Sequence, residues 1–185
     1  LLLNLVLLTT TLGFLYSAAT STLVLFMTET LQAPVAIFGF FFAAGATGAL
    51  LGALIAPKIS EKLGRSETLA ISIVLTGLLI VLQGLSPNYL VLAVISVFSS
   101  VLITIWNILL MSIYHQVIPT ELFGRIHGTR RTLVWGLMPI GSLVGGLIAT
   151  FDLRLPFFIA GGLSFLVALL GYKFVRGLSK ATAED

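Results

Sequence analysis

Six long apolar stretches divide this chain, at about 1–28, 35–57, 68–85, 89–113, 132–151 and 155–172, and none contains a charged residue. A helix needs about 20 apolar residues to cross the hydrocarbon core of a bilayer. Six such runs in 185 residues leave little chain for a water-soluble core. The charged fraction is 9%, against roughly 25% for a soluble domain. The sequence therefore predicts an all-α integral membrane protein, with residues 1–176 as one six-helix domain and 177–185 as a polar cytoplasmic tail. A transmembrane barrel would need strands of about 10 residues with alternating polarity. These runs are longer and do not alternate.

The basic residues orient the spans. Lys58, Lys62 and Arg65 follow the second, Arg125, Arg130 and Arg131 the fourth, and Lys173, Arg176 and Lys180 the sixth, while Arg154 lies on the other side. Loops rich in Lys and Arg stay in the cytoplasm, so segments 58–67 and 114–131 and the C-terminus are expected there. The net charge of +3 is spread over these short segments, so no nucleic-acid partner is implied. The bilayer is the expected partner. The chain begins at Leu1 inside an apolar run, which reads as a fragment or a processed chain rather than a signal peptide.

The long inner segment after the fourth span divides the spans into two triplets, the second inverted relative to the first. Polar residues gather on the first helix of each triplet. Span one carries Thr9, Gly13, Tyr16, Ser17 and Thr20; span four carries Ser96, Ser99, Ser100, Thr104, Asn107 and Tyr114, with Trp106 beside them. At helical spacing each set shares a face. Spans one and four read as pathway-lining helices, and three and six as lipid-facing supports. Any one hydroxyl alone is better read as bonding its own backbone or a neighbouring helix; two whole faces at equivalent positions are what point to a pathway. Tyr16, Thr20, Ser100, Thr104, Trp106 and Asn107 are the candidates for substrate contact. Uncharged, they suit a largely apolar, uncharged or mixed small-molecule substrate. The spacings Gly48-x-x-x-Gly52 and Gly141-x-x-x-Gly145 suit close helix approach, and Pro139 is placed to kink span five.

Several chemistries lack their residues. No span holds Asp, Glu, Lys or Arg, so an intramembrane proton relay has no carrier here. His115 and His127 have no metal-ligand spacing, and there is no cysteine, no phosphate loop and no hydrolase motif. No cofactor, metal or catalytic residue is expected.

Two inner segments carry a resemblance. Glu61-Lys62-Leu63-Gly64-Arg65 resembles the Asp-Arg-x-Gly-Arg loop of the major facilitator superfamily, with Pro57 where that family has glycine. Pro119, Glu121, Leu122, Gly124, Arg125, Gly128 and Arg130, followed by Trp135, Pro139 and Gly141, resemble the join between the fourth and fifth helices of the C-terminal half in the drug and siderophore exporter branch (macrolide-efflux-like and enterobactin-exporter-like). The resemblance implies helices seven to twelve of a twelve-helix transporter in a bacterial inner membrane, with an N-terminal six-helix half as partner. It implies alternating access, with efflux of a drug-like or siderophore-like compound. It also implies a latch between halves at Glu61, Lys62, Gly64 and Arg65, and in the later segment at Glu121, Gly124, Arg125 and Arg130. The competing reading is a self-contained six-helix channel or scaffold that works as an oligomer.

Overall fold

The computed structural model describes residues 2–181, with side chains to 177, and these form six long helices. Helix α1 starts at Leu2 and, after a break at Ser21–Thr22 and a π-helical turn, reaches Thr30. The others are α2 (Phe38–Leu63), α3 (Arg65–Gly84), α4 (Tyr89–Val117), α5 (Thr120–Ala149) and α6 (Leu155–Ala181). Without water to serve them, backbone groups in lipid must pair within the helix. The starts are marked locally. Asn88 accepts a hydrogen bond from the Val91 amide at 3.0 Å, which caps α4. Pro34 and Pro119 stand just before α2's opening turn and α5, where a missing N–H costs nothing.

The helices outrun the apolar stretches. Segment 58–67 is almost wholly helical, and the α2–α3 junction is Gly64 alone. Segment 114–131 is no loop either. Helix α4 runs to Val117 and α5 starts at Thr120, so Arg125, Arg130 and Arg131 sit on α5. Charge ends a membrane span, but it does not end a helix. The tail expected at 177 likewise begins as helix and continues to Ala181; residues 182–185 lie outside the described residues. Helix α5 runs through Pro139 without a break.

Gly64 turns the chain with φ +86° and ψ 149°, a region that only glycine enters cheaply. A Cβ there would meet nothing within 4 Å, so substitution is a purely conformational test. Gly64→Ala should cost about 1–3 kcal/mol, read as a lower thermal midpoint of the purified protein. An unchanged midpoint would show that the turn relaxes.

The packing has an internal two-fold pattern. Helix α1 packs on α5 and α6, α4 packs on α2 and α3, and α3 packs most extensively of all on α6. Exchanging the triplets leaves this pattern unchanged. The close approaches obey the same exchange. A Cβ on Gly48 would stand 2.5 Å from the Val97 carbonyl oxygen, and one on Gly52 2.6 Å from that of Val101. In the other triplet, Cβ atoms on Gly141 and Gly145 would collide with the carbonyls of Phe14 and Ala18. Between α3 and α6, Gly77 lies against the Phe165 backbone and Gly161 against that of Val81. Residue numbers rise together in the first two seams and oppositely in the third, as alternating helices require. Lipid tails are as apolar as leucine, so tight backbone contact rather than apolar burial holds such helices together.

Within this unit half of α3's most apolar stretch and 33% of α6's are buried, against 17% for α2 and α4 and 11% for α5. The α3–α6 pair is the most extensively packed in the unit, while Leu75 and Leu78 of α3 and Leu163, Leu166, Leu169 and Leu170 of α6 are exposed. Two apolar clusters flank the middle. One, near the α2–α3 and α4–α5 junctions, includes Leu5, Leu69, Ile73, Leu109 and Tyr114. The other, at the opposite end, includes Phe26, Met27, Ile80, Leu92 and Phe157. Each end is also tied by polar contacts. Glu67 accepts a hydrogen bond from the Tyr172 hydroxyl and pairs with Arg176 at 2.6 Å. At the far end Arg154 donates to the Gly84 carbonyl at 2.7 Å, which serves the negative end of α3.

Candidate functional site

A cavity of about 250 Å³ opens between the two apolar clusters. Its apolar wall takes Leu12 from α1, Ile73 and Ile80 from α3, Ile103 and Leu110 from α4, and Val134 and Met138 from α5. Polar groups enter from every side: Thr9 and Tyr16, Thr76, Trp106 and Asn107, Arg130 and Arg131, and Ser164. Helices α1 and α4, the first of each triplet, thus face one space, with Gly13 and Gly77 thinning its wall.

The polar faces read from the sequence divide among several surroundings. On α4, Ser96 and Ser99 accept hydrogen bonds from Gln83 of α3 at 3.3 and 3.4 Å. Ser100 and Thr104 press on Gly48 and Gly52 in the α2 seam, where their Cβ atoms would lie 3.2 and 3.1 Å from an added methyl. Trp106 and Asn107 line the cavity. Asn107 donates to the Ile103 carbonyl of its own helix at 2.8 Å. On α1, Tyr16 lines the cavity. Ser17 instead turns to α5, donating to the Met138 carbonyl and sharing a hydrogen bond with Ser142, both at 2.7 Å. Thr20 bonds the Tyr16 carbonyl at 2.9 Å and lies outside the cavity lining. Of the six candidates, the cavity brings together Tyr16, Trp106 and Asn107.

The latch candidates also separate. Glu61, Lys62, Gly64 and Arg65 are exposed around the α2–α3 junction, and Glu121, Gly124 and Arg125 are exposed on the first turns of α5. Arg130 turns inward. Its guanidinium lies 4.8 Å from the centre of the Tyr114 ring, and its Nε is buried with no acceptor among the described residues. Arg131 lies 4.2 Å from the Trp135 ring centre. Both arrangements are cation–π contacts. Next to them His115, Phe123 and His127 stack in series, at 4.3 and 5.4 Å between ring centres, and join the end of α4 to the start of α5.

The sequence does not assign three groups the places they take. Arg130, a latch candidate, and Arg131 lie just outside an uncharged run, which puts them in an inner loop rather than at a cavity. Thr76 and Ser164 belong to helices with few polar residues. Glu67, the acid that ties α3 to α6, lies outside the motif at Glu61 and carries no signal of its own in the sequence. A helical wheel of α3 and α6 would put Thr76 opposite the outer leucines, but it would not reveal which face meets α1 and α4.

Six apolar helices, arranged as two inverted triplets around a mostly apolar cavity with a few polar groups, define a multi-pass membrane protein with room for a solute. The chain belongs to the Major Facilitator Superfamily, whose family model matches residues 5–184. It is a membrane transporter, and the all-α fold is that of a six-helix half of this family. The family's members move solutes rather than catalyse reactions. No curated protein and no solved structure matches the chain.

Proposed function

We propose that this chain is the C-terminal half of a twelve-helix secondary transporter, and that it exports a small amphipathic molecule by alternating access. The observation that carries the reading is the cavity to which α1 and α4, the equivalent helices of the two triplets, both contribute, together with α3 and α5. A site at a repeat interface is reached from either side when the two halves rock around it. Drug-like or siderophore-like cargo suits a wall that is mostly aliphatic and aromatic with a few polar groups. Outward direction is supported by the likeness of the Pro119–Gly141 segment to exporters. The Lys and Arg residues of the α2–α3 junction, the start of α5 and the end of α6 favour placing that end in the cytoplasm of a bacterial inner membrane. There Glu61, Lys62 and Arg65, with Glu121 and Arg125, are exposed and free to latch onto an N-terminal half.

The test is counterflow with the full-length protein in proteoliposomes. Vesicles preloaded with an unlabelled amphipathic compound should take up the labelled compound faster than empty ones, and the rate should saturate. Flux that rises linearly with concentration, with no effect of preloading, would mark an oligomeric channel instead.

A further inference from the structure

The cavity's polar chemistry is one-sided. Among the described residues that line it there is no carboxylate, yet two arginines are among them, the partly buried Arg130 and the exposed Arg131. Three lining residues hold buried polar atoms with no partner among the described residues: Trp106 Nε1, Arg130 Nε and Ser164 Oγ. The first two are N–H groups that can only donate, and a guanidinium does not lose its charge in proteins. Aromatic faces answer both arginines, Tyr114 for Arg130 and Trp135 for Arg131. A ring face offsets part of a cation's lost hydration, but it offers no acceptor to the buried Arg130 Nε–H. Buried donors left unpaired are costly. A site that keeps them is poised for a ligand that brings acceptors and negative charge.

We propose that the cavity takes an organic anion: an apolar, flat body against the Trp106 side of the aliphatic wall, with one carboxylate-type group between Arg130 and Arg131. This rests on the transporter reading above and narrows its cargo. It narrows the largely apolar, uncharged or mixed substrate expected from the spans alone, because the two charges belong to the extension of α5 rather than to an apolar run. A carboxylate would accept from the planar guanidinium forks in a paired geometry that water or a neutral amide matches poorly.

The experiment compares three probes of one shape with the full-length protein in phosphatidylcholine nanodiscs, by equilibrium dialysis. They are 2-naphthoate, neutral 2-naphthamide and cationic 2-naphthyltrimethylammonium. Hydrogen bonds to charged groups correspond to roughly tenfold to hundredfold in affinity. So 2-naphthoate should bind at least about tenfold tighter than the amide, and the cation weakest. Arg130→Gln should remove most of that preference while leaving amide binding in place, and Arg130→Lys should restore part of it. The wild-type preference needs no variant, so a misfolded variant does not decide the matter. Equal binding of anion and amide, tighter binding of the cation, binding of none, or a preference that survives Arg130→Gln and Arg131→Gln together would overturn the proposal. The same dialysis in nanodiscs containing phosphatidylglycerol separates the two sources of anion. Retained naphthoate binding supports a solute site, whereas its loss assigns the arginines to lipid headgroups and overturns the proposal. If naphthoate binds selectively but shows no counterflow, the transport reading fails and the anion site stands. If the amide or the cation shows counterflow and naphthoate is not preferred, the reverse holds.

Discussion

Replacing Gly145 with alanine is expected to break the α1–α5 seam, while the same change at its neighbour Gly146 is expected to do nothing. The added Cβ at Gly145 would collide with the Ala18 carbonyl oxygen and stand 2.7 Å from its carbonyl carbon and 2.8 Å from its Cα. These are backbone atoms of a packed helix, so no side chain can swing away; α5 itself must move. Overpacking of this kind costs about 1–3 kcal/mol and occasionally more. Here Gly141 lies against Phe14 one turn away, so displacement at one glycine opens the other contact as well. Gly145→Ala should therefore lose about 3 kcal/mol, seen as a large fall in thermal midpoint and a poor yield of monodisperse protein. At Gly146 a Cβ meets nothing within 4 Å, and alanine favours a helix over glycine by up to about 1 kcal/mol. Gly146→Ala should leave the midpoint level or slightly raised. Equal effects at both positions would mean that this seam does not hold the helices.

A second pair of substitutions separates transport from folding on one helix. Asn107 is exposed toward the cavity and, among the described residues, hydrogen-bonds only its own helix. Asn107→Trp should fill much of a cavity of about 250 Å³ without disturbing a seam. Transport should fall more than about tenfold, a change of only about 1.4 kcal/mol in barrier, with the thermal midpoint unchanged. Ser100 lies two turns away but faces Gly45 and Gly48 of α2. Ser100→Trp should prevent α2 from docking and lower the midpoint before any effect on transport can be read. Both are measured by counterflow together with a thermal unfolding curve. The account fails if Asn107→Trp transports normally, or if Ser100→Trp folds as the wild type does.

Hydropathy made the six helices and their alternation legible, because lipid demands length and apolarity together. Their ends were less legible. Lys58 and Arg131 mark where lipid gives way to water, yet α2 and α5 continue through them as helix. The true breaks are at Gly64, where φ turns positive, and at Ile118–Pro119. The small-x-x-x-small spacings singled out Gly48, Gly52, Gly141 and Gly145, but a spacing names no partner. That α2 meets α4 and α5 meets α1 emerges only from the packed bundle.

The cavity was half legible. Tyr16, Trp106 and Asn107 stood out as polar or amphipathic groups on spans one and four, and they do face it. Ser99, Ser100 and Asn107 looked like one face because a helical face read from sequence is broad. In the bundle that face is shared among α3, α2 and the open space. Arg130 and Arg131 were hidden for the opposite reason. Their charge placed them outside the membrane, whereas the continuous α5 carries them to the cavity's edge, where rings of Tyr114 and Trp135 receive them.

The most direct test is the accessibility of position 107 from the two sides of the membrane. The chain has no cysteine, so Asn107→Cys, in the full-length protein with any cysteine outside this chain replaced, gives one thiol at the cavity wall. A membrane-impermeant maleimide would be added to sealed vesicles of each orientation. Alternating access around this cavity predicts labelling from either face, slowed from both by a saturating transported compound. Labelling from one face alone, whatever compound is present, would contradict the central claim.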